Sequence, residues 1–411
     1  MNIFERIISS SKIFKNRDVL RHTYTPDELP HRDEQINALA TILAPALKYE
    51  TPSNVLIYGK TGTGKTATVK FVARQLEEMS SKLGVRCLVH YMNCELIDTQ
   101  YRVFASIANA LGRSIPMTGL PTDYVYEEMK KALDSKKQVV IIVLDEIDKL
   151  VKKGDEALYN LTRINSELVN AKVSIIGISN DLKFKSFLDP RVLSSLSEEE
   201  IVFPPYNAEQ LKDILEQRAR LAFHEGVLDE DVIPYCSALA AQEHGDARKA
   251  LDLLRTSGEI AEREGSDRVT KEHVKKAVKK IESDQIAETV RTLPTHSKVL
   301  LFGMIVLTES GYRKFTTGEV YAIYRNLCKR IGLDALTQRR ISDLISELDM
   351  LGIINSIVIS KGRYGRTREI RLDMPVDDIK SVLLEDYRLE NLSKFERDLK
   401  NLVTLDSFGE V

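Results

Sequence analysis

The segment Gly59-Lys60-Thr61-Gly62-Thr63-Gly64-Lys65-Thr66 fits the pattern GxxxxGK[ST]. It lies between a short apolar run, Val55 to Tyr58, and the amphipathic stretch TATVKFVARQLEEM. A strand, a glycine-rich turn and a helix in that order make a phosphate-binding loop. The glycines let backbone N–H groups turn inward around phosphate oxygens, and the helix N-terminus adds partial positive charge. Lys65 is then expected to neutralise the β- and γ-phosphates of ATP, and the Thr66 hydroxyl to ligate Mg²⁺. The plain alternative is a Gly/Thr-rich surface turn, which the flanking strand and helix disfavour.

Further apolar runs, Cys87 to Met92, Val139 to Leu144, Val173 to Ser179 and Glu200 to Phe203, alternate with longer amphipathic segments. That alternation predicts an α/β domain with a parallel sheet flanked by helices. Val139 to Leu144 is continuous and β-branched, as a central strand buried on both faces should be, and it ends in Asp145 and Glu146. Carboxylates at the C-terminal tip of a central strand stand where such sheets bind ligands. Asp145 is expected to hold the Mg²⁺ and Glu146 to polarise the attacking water, unless Asp145 simply caps a following helix. Asn180, ending the next run, would bring an amide to the γ-phosphate, although Asn also ends strands as a turn residue.

With 411 residues the chain needs two or three cores, and its 43% hydrophobic and 29% charged residues suit packed domains. A net charge of -2 does not announce a polyanion partner, but leaves room for a local basic surface. Cys87, Cys94, Cys236 and Cys328 show no CxxC pair or zinc spacing and read as free thiols of a reducing compartment. The longest apolar run, Val299 to Leu307, is too short for a membrane span, and the charged opening MNIFERIISSSK is not expected to be a signal peptide. The expected location is the cytoplasm, in association with the nucleoid.

After Pro204 and Pro205 the pattern becomes helical, with Asn207 and Gln210 forming a capping box, and Pro294 interrupts it again. Beyond lie an apolar helix from about Ser297, a helix capped by Thr316 and Glu319, a helix opening at Thr337, and two β-like runs around the tip KGRYGR. Helices followed by a basic hairpin make a winged helix-turn-helix. The expected domains are 1–205 (α/β nucleotide-binding), 206–293 (helical lid) and 294–411 (winged helix).

GKTGTGKT, VLDEID, SIIGISN and GDARKALDLL resemble, in order and spacing, the Walker motifs, sensor one and sensor two of AAA+ ATPases. With LPHRDEQI, LDPRVLSSLSEEEIVFPPY and the winged helix, the chain resembles the archaeal origin-recognition and Cdc-type replication initiators from about Phe14 to the wing. The resemblance implies a P-loop NTPase core in which Arg248 reaches from the lid to the γ-phosphate, and a loop of Pro30, His31 and Arg32, with Tyr206, near the adenine of ATP or ADP. Without it, Arg248 would be an N-terminal helix residue paired with Asp246 or Asp252. Arg191 is the one arginine in DPRVLSS, and Ser195 stands where related subunits carry a finger arginine, so slow or single-turnover hydrolysis is expected.

Lys361, Arg363, Arg366, Arg368 and Arg371 crowd the hairpin tip around Tyr364, and Thr337, Gln338, Arg339 and Arg340 open the recognition helix. Cations on a wing suit phosphates, and the N-terminal end of such a helix approaches base edges. The resemblance adds Tyr101, Arg102 and Arg113 as DNA contacts on a helical insertion, whose Val103, Phe104 and Ile107 read more simply as a buried face. It implies an ATP-dependent initiator that binds double-stranded origin DNA and helps recruit the replicative MCM helicase, with paralogous initiator subunits as further partners. The rival readings are a clamp-loader-like or motor ATPase whose last domain docks proteins, and a nucleotide-gated transcription regulator.

Overall fold

The computed structural model describes residues 12–360, 366–372, 374, 376–390 and 392. Five parallel strands, β1 (Val55–Tyr58), β2 (Cys87–Asn93), β3 (Gln138–Asp145), β4 (Ala171–Ser179) and β5 (Glu199–Val202), lie in the order β2-β3-β4-β1-β5. Every residue of β3 is buried, because helices cover both faces. Val140, Ile142 and Leu144 pack with Phe104, Met129 and Leu158, while Val139, Ile141 and Val143 turn to Leu39, Val69 and Val72. The register pairs Tyr58 with Ser179 and Asn93 with Asp145, so these strands end together and deliver Gly59, Asp145 and Asn180 to one edge.

The lid helices are Ala208–Ala222, Val232–Gln242 and Ala247–Arg263. Both bonds of the Asn207/Gln210 capping box are present. The helix Lys271–Thr292 follows, and within it the chain divides into two compact units, Met1–Ala277 and Val278–Val411. The lid therefore belongs to one compact unit with the sheet, and the second unit starts upstream of Pro294.

In the second unit Val299 to Leu307 is the core helix, buried at every position, inside Thr295–Glu309. Gly303 allows the helix Thr317–Ile331 close, since a Cβ there would stand 3.2 Å from Ile323. The helix Gln338–Met350 and the antiparallel strands β6 (Phe315–Thr316), β7 (Ile354–Ser360) and β8 (Arg366–Leu372), in the order β6-β8-β7, complete a winged helix. Two-residue β6 is too short to leave a periodic signal in the sequence. Lys361, Arg363 and Tyr364 of the wing lie outside the described residues. All four cysteines are free thiols, Cys94, Cys236 and Cys328 buried. No helix among the described residues is long and apolar enough to cross a membrane.

Candidate nucleotide-binding site

A cleft of about 310 Å³ opens at the C-terminal edge of the sheet, lined by residues of the phosphate loop, the strand ends, the N-terminal segment and the lid. Gly62 and Gly64 adopt φ of 72° and 89°, which is how the loop turns its backbone before the helix Lys65–Leu83 begins. The Lys65 ammonium donates to the carbonyls of Gly59 and Lys60, each at 2.7 Å. Burial, assisted by the charge of Arg248, lowers its pKa to about 8 against the opposing pull of Asp145, Asp246 and Glu146.

Asp145 is fixed from three sides. Its Oδ2 accepts from the Thr66 hydroxyl at 2.8 Å and the Tyr91 hydroxyl at 2.5 Å, and its Oδ1 from the Glu146 N–H at 3.0 Å. The N-cap position of the following helix falls on Glu146, so Asp145 is not that helix's cap. A hydroxyl and a carboxylate oxygen in contact beside a phosphate loop are hard oxygen donors, a set that fits Mg²⁺. Glu146 sits at φ 55°, and burial, then Glu95 and Asp145, raise its pKa above the usual carboxylate value. Among the described residues the non-glycine positions with positive φ are His31, Tyr49, Glu146 and His244. Glu146 lines the cleft, His31 adjoins Arg32, which bonds to the Thr63 carbonyl of its loop, and His244 adjoins Gly245, which accepts from the N–H of the cleft residue Tyr206, so three of these four positions lie at or beside the site and Tyr49 lies away from it.

From the lid, Asp246 caps the helix Ala247–Arg263 by accepting from the N–H groups of Arg248 and Lys249. The Ala247 N–H donates to the Gly62 carbonyl at 3.2 Å, and a Cβ on Gly62 would stand 1.7 Å from Asp246 Oδ1. Only glycine lets the lid sit this close to the loop. The side chain of Arg248 lines the cleft and forms no ion pair with Asp246 or Asp252 among the described residues, since Asp252 pairs with Arg255. Asn180 also lines the cleft, exposed at the end of β4.

The expected adenine-side group separates. Pro30 and Tyr206 line the cleft, whereas the His31 ring contacts Asp213 at 2.8 Å on the lid. Arg32 lies behind the loop, its Nε donating to the Thr63 carbonyl at 2.9 Å. Sequence reasoning missed Tyr91, Tyr24 and Arg218, which also line the cleft. No motif marks Tyr91, and only the register of β2 beside β3, seen in the structure, brings its hydroxyl to Asp145. Arg191 is held by Asp189, with bonds of 3.0 and 2.8 Å, and lies over the Tyr159 ring, while the Ser195 hydroxyl bonds back to the Arg191 carbonyl.

In the insertion, Val103, Phe104 and Ile107 are buried, the Tyr101 hydroxyl donates to the Pro116 carbonyl, and Arg102 and Arg113 pair with Asp98 and Glu128. Thr337, Gln338, Arg339 and Arg340 are all exposed, with Thr337 capping the helix and Arg340 3.7 Å from Asp343. Arg368 reaches Ser356, and β8 places Arg366 opposite Ser360 at the mouth of the wing.

A phosphate loop after β1, paired carboxylates at the end of β3, one strand removed across β4, and a lid arginine, joined to a winged helix, define an AAA+ ATPase. Three family models match successive segments: an AAA domain over residues 48–183, the Cdc6 AAA+ ATPase-type lid domain over 212–279, and the CDC6 C-terminal winged helix domain over 288–382. The chain is 67% identical to the ORC1-type DNA replication protein 1 of Archaeoglobus fulgidus, over 99% of this chain and 100% of that protein. It is 63% identical to the ORC1-type DNA replication protein of Pyrococcus furiosus, over 95% and 94% respectively. The solved structure of the Aeropyrum pernix ORC1 protein in complex with DNA is 52% identical, with a TM-score of 0.80 over 93% of this chain and 99% of that one. The chain belongs to the archaeal ORC1/Cdc6 family of DNA replication initiators.

Proposed function

We propose that this initiator binds duplex DNA at replication origins through its winged helix, with ATP or ADP in the cleft as the switch, and helps recruit the MCM helicase. The observation that carries the DNA reading is the exposed start of the recognition helix, Thr337 to Arg340, in the same domain as β8 with its Arg366, Arg368 and Arg371. The DNA-bound state of the 52% identical Aeropyrum pernix ORC1 protein supports it. Charge supports it locally, because a chain of net charge -2 attracts a polyanion only where cations cluster.

Within the cleft, Lys65 and the loop amides hold the phosphates, and Thr66 and Asp145 would hold Mg²⁺. A bound Mg²⁺ supplies charge neutralisation at the β- and γ-oxygens. Glu146, with its raised pKa, accepts a proton from the attacking water, and Asn180 and Arg248 face the same space from the sheet and the lid. Arg191, engaged with Asp189, contributes nothing to its own cleft, which fits slow turnover. Paralogous subunits and a nucleoid location in the cytoplasm belong to the same reading.

Fluorescence anisotropy of the ATP-loaded protein on duplexes from its own genome's candidate origins, against scrambled duplexes, tests the reading. A preference of about a thousandfold or more at physiological salt is expected. Equal, weak and steeply salt-dependent binding would return the winged helix to protein docking.

A further inference from the structure

Arg32 is 2% exposed, and no ion pair joins it to a carboxylate among the described residues. Its donors go instead to three backbone carbonyls in three different segments. Nε takes Thr63 in the phosphate loop at 2.9 Å, Nη2 takes Pro204 at the entrance to the lid at 2.8 Å, and Nη1 takes its own neighbour His31 at 3.1 Å. The guanidinium carbon lies 3.7 Å from the centroid of the Tyr206 ring. Carbonyls and a ring face satisfy hydrogen bonds and dispersion but do not neutralise the charge, and a buried unpaired charge is costly. Arg218, the other buried arginine among the described residues, likewise donates to a carbonyl and lies over a tyrosine, at the wall of the same cleft.

The surroundings of Arg32 form a closed circuit. From Arg32 one arm reaches Thr63 in the loop. The other reaches Pro204 and Tyr206, whose N–H donates to Gly245 at 3.3 Å. Two residues on, the Ala247 N–H returns to Gly62 in the loop at 3.2 Å. The contacts leave no slack, since a Cβ on Gly64 would meet the Tyr206 hydroxyl at 2.8 Å and one on Gly245 the Tyr206 carbonyl at 2.2 Å.

We propose that the phosphates of the bound nucleotide are the missing counter-charge of Arg32, which makes Arg32 the positioning residue that passes phosphate occupancy to the lid entrance at Pro204–Tyr206. The inference rests on the nucleotide-site reading. A buried charge this close to the loop is little screened by salt, so its attraction to a polyphosphate persists at physiological ionic strength. Because the guanidinium also holds Pro204, any gain in its interaction with phosphate strengthens the tie between loop and lid.

The test uses the full chain with inorganic tripolyphosphate and ADP as probes. Arg32→Met, of similar length without charge, is expected to weaken both at least tenfold, about 1.4 kcal/mol, and Arg32→Lys to recover at least half of that loss on a logarithmic scale. A merely structural brace would behave otherwise: Arg32→Met would melt lower but bind tripolyphosphate like the parent, and Arg32→Lys, which lacks the fork, would do no better than Met. Either result overturns the proposal. Amide hydrogen exchange on the unmodified protein decides independently should the variants not fold. Tripolyphosphate is expected to slow exchange at Tyr206 and Gly245 as well as in the loop, and slowing confined to the loop overturns the proposal. Lys65→Ala binding tripolyphosphate as tightly as the parent would instead sink the nucleotide site itself.

Discussion

Lys65 keeps most of its charge at neutrality but loses it within the mildly alkaline range, far below an ordinary lysine. With a pKa of about 8 in the free cleft, burial being the main cause, half of the ammonium is lost near pH 8. Phosphates favour the charged form, so binding raises the pKa and takes up a proton, and affinity for ATP is full below about pH 7 and falls as pH rises past 8. Calorimetry in buffers of different ionisation enthalpy at pH 8 should show about half a proton taken up, and no uptake would mean that Lys65 does not meet the phosphates. Tyr91 makes a second residue-scale case. Its hydroxyl is one of two donors on Asp145 Oδ2, and a hydrogen bond to a charged acceptor contributes about 1.5 to 3 kcal/mol. Tyr91→Phe should therefore lower ATP hydrolysis by about tenfold or more while nucleotide affinity in EDTA stays at the parental value, and a parental hydrolysis rate would show Thr66 and Glu146 to be sufficient for holding the carboxylate.

At the scale of elements, the helix Ala247–Arg263 is tied to the phosphate loop by its cap. Asp246→Ala removes the acceptor for two helix N–H groups and should cost about 1 kcal/mol in denaturant unfolding, whereas Asp246→Asn keeps the cap and should cost little. Equal losses for both would assign the effect to charge near Lys65 rather than to capping. Much of this architecture was legible. The continuous β-branched run of β3, the capping boxes at Asn207 and Thr316 and the glycine loop are local patterns with local causes, and each fell within a residue or two of its place. What was not legible depends on pairings between distant segments. β6 has two residues and exists only because β8 lies beside it, Tyr91 matters only through the register of β2 with β3, and Arg32, which the resemblance put beside the base, has carbonyl partners at Thr63 and Pro204 that leave no mark in sequence.

Across the whole molecule, 59 basic residues stand against 61 acidic ones, so long-range attraction to DNA is close to nil and binding must come from where cations are placed. Many are already spent on internal pairs, as Arg102, Arg113 and Arg191 show. The recognition helix differs. Arg339 and Arg340 are exposed at its first turn, and the pairing found there among the described residues, Arg340 with Asp343 at 3.7 Å on the same helix, is of the solvent-exposed kind that contributes little and yields to a phosphate. Each phosphate contact adds close to one unit to the slope of log K against log salt, whereas a base-edge contact changes which sequence is preferred and leaves the slope almost alone. Replacing Arg339 and Arg340 together by Ala should thus flatten the slope by about two units if both touch phosphates. If one reads guanine, the slope should fall by about one unit and the preference for origin over scrambled duplex should also fall, by about 1 to 3 kcal/mol. An unchanged slope with unchanged preference would take this helix out of the interface and leave the wing and the insertion to carry DNA binding.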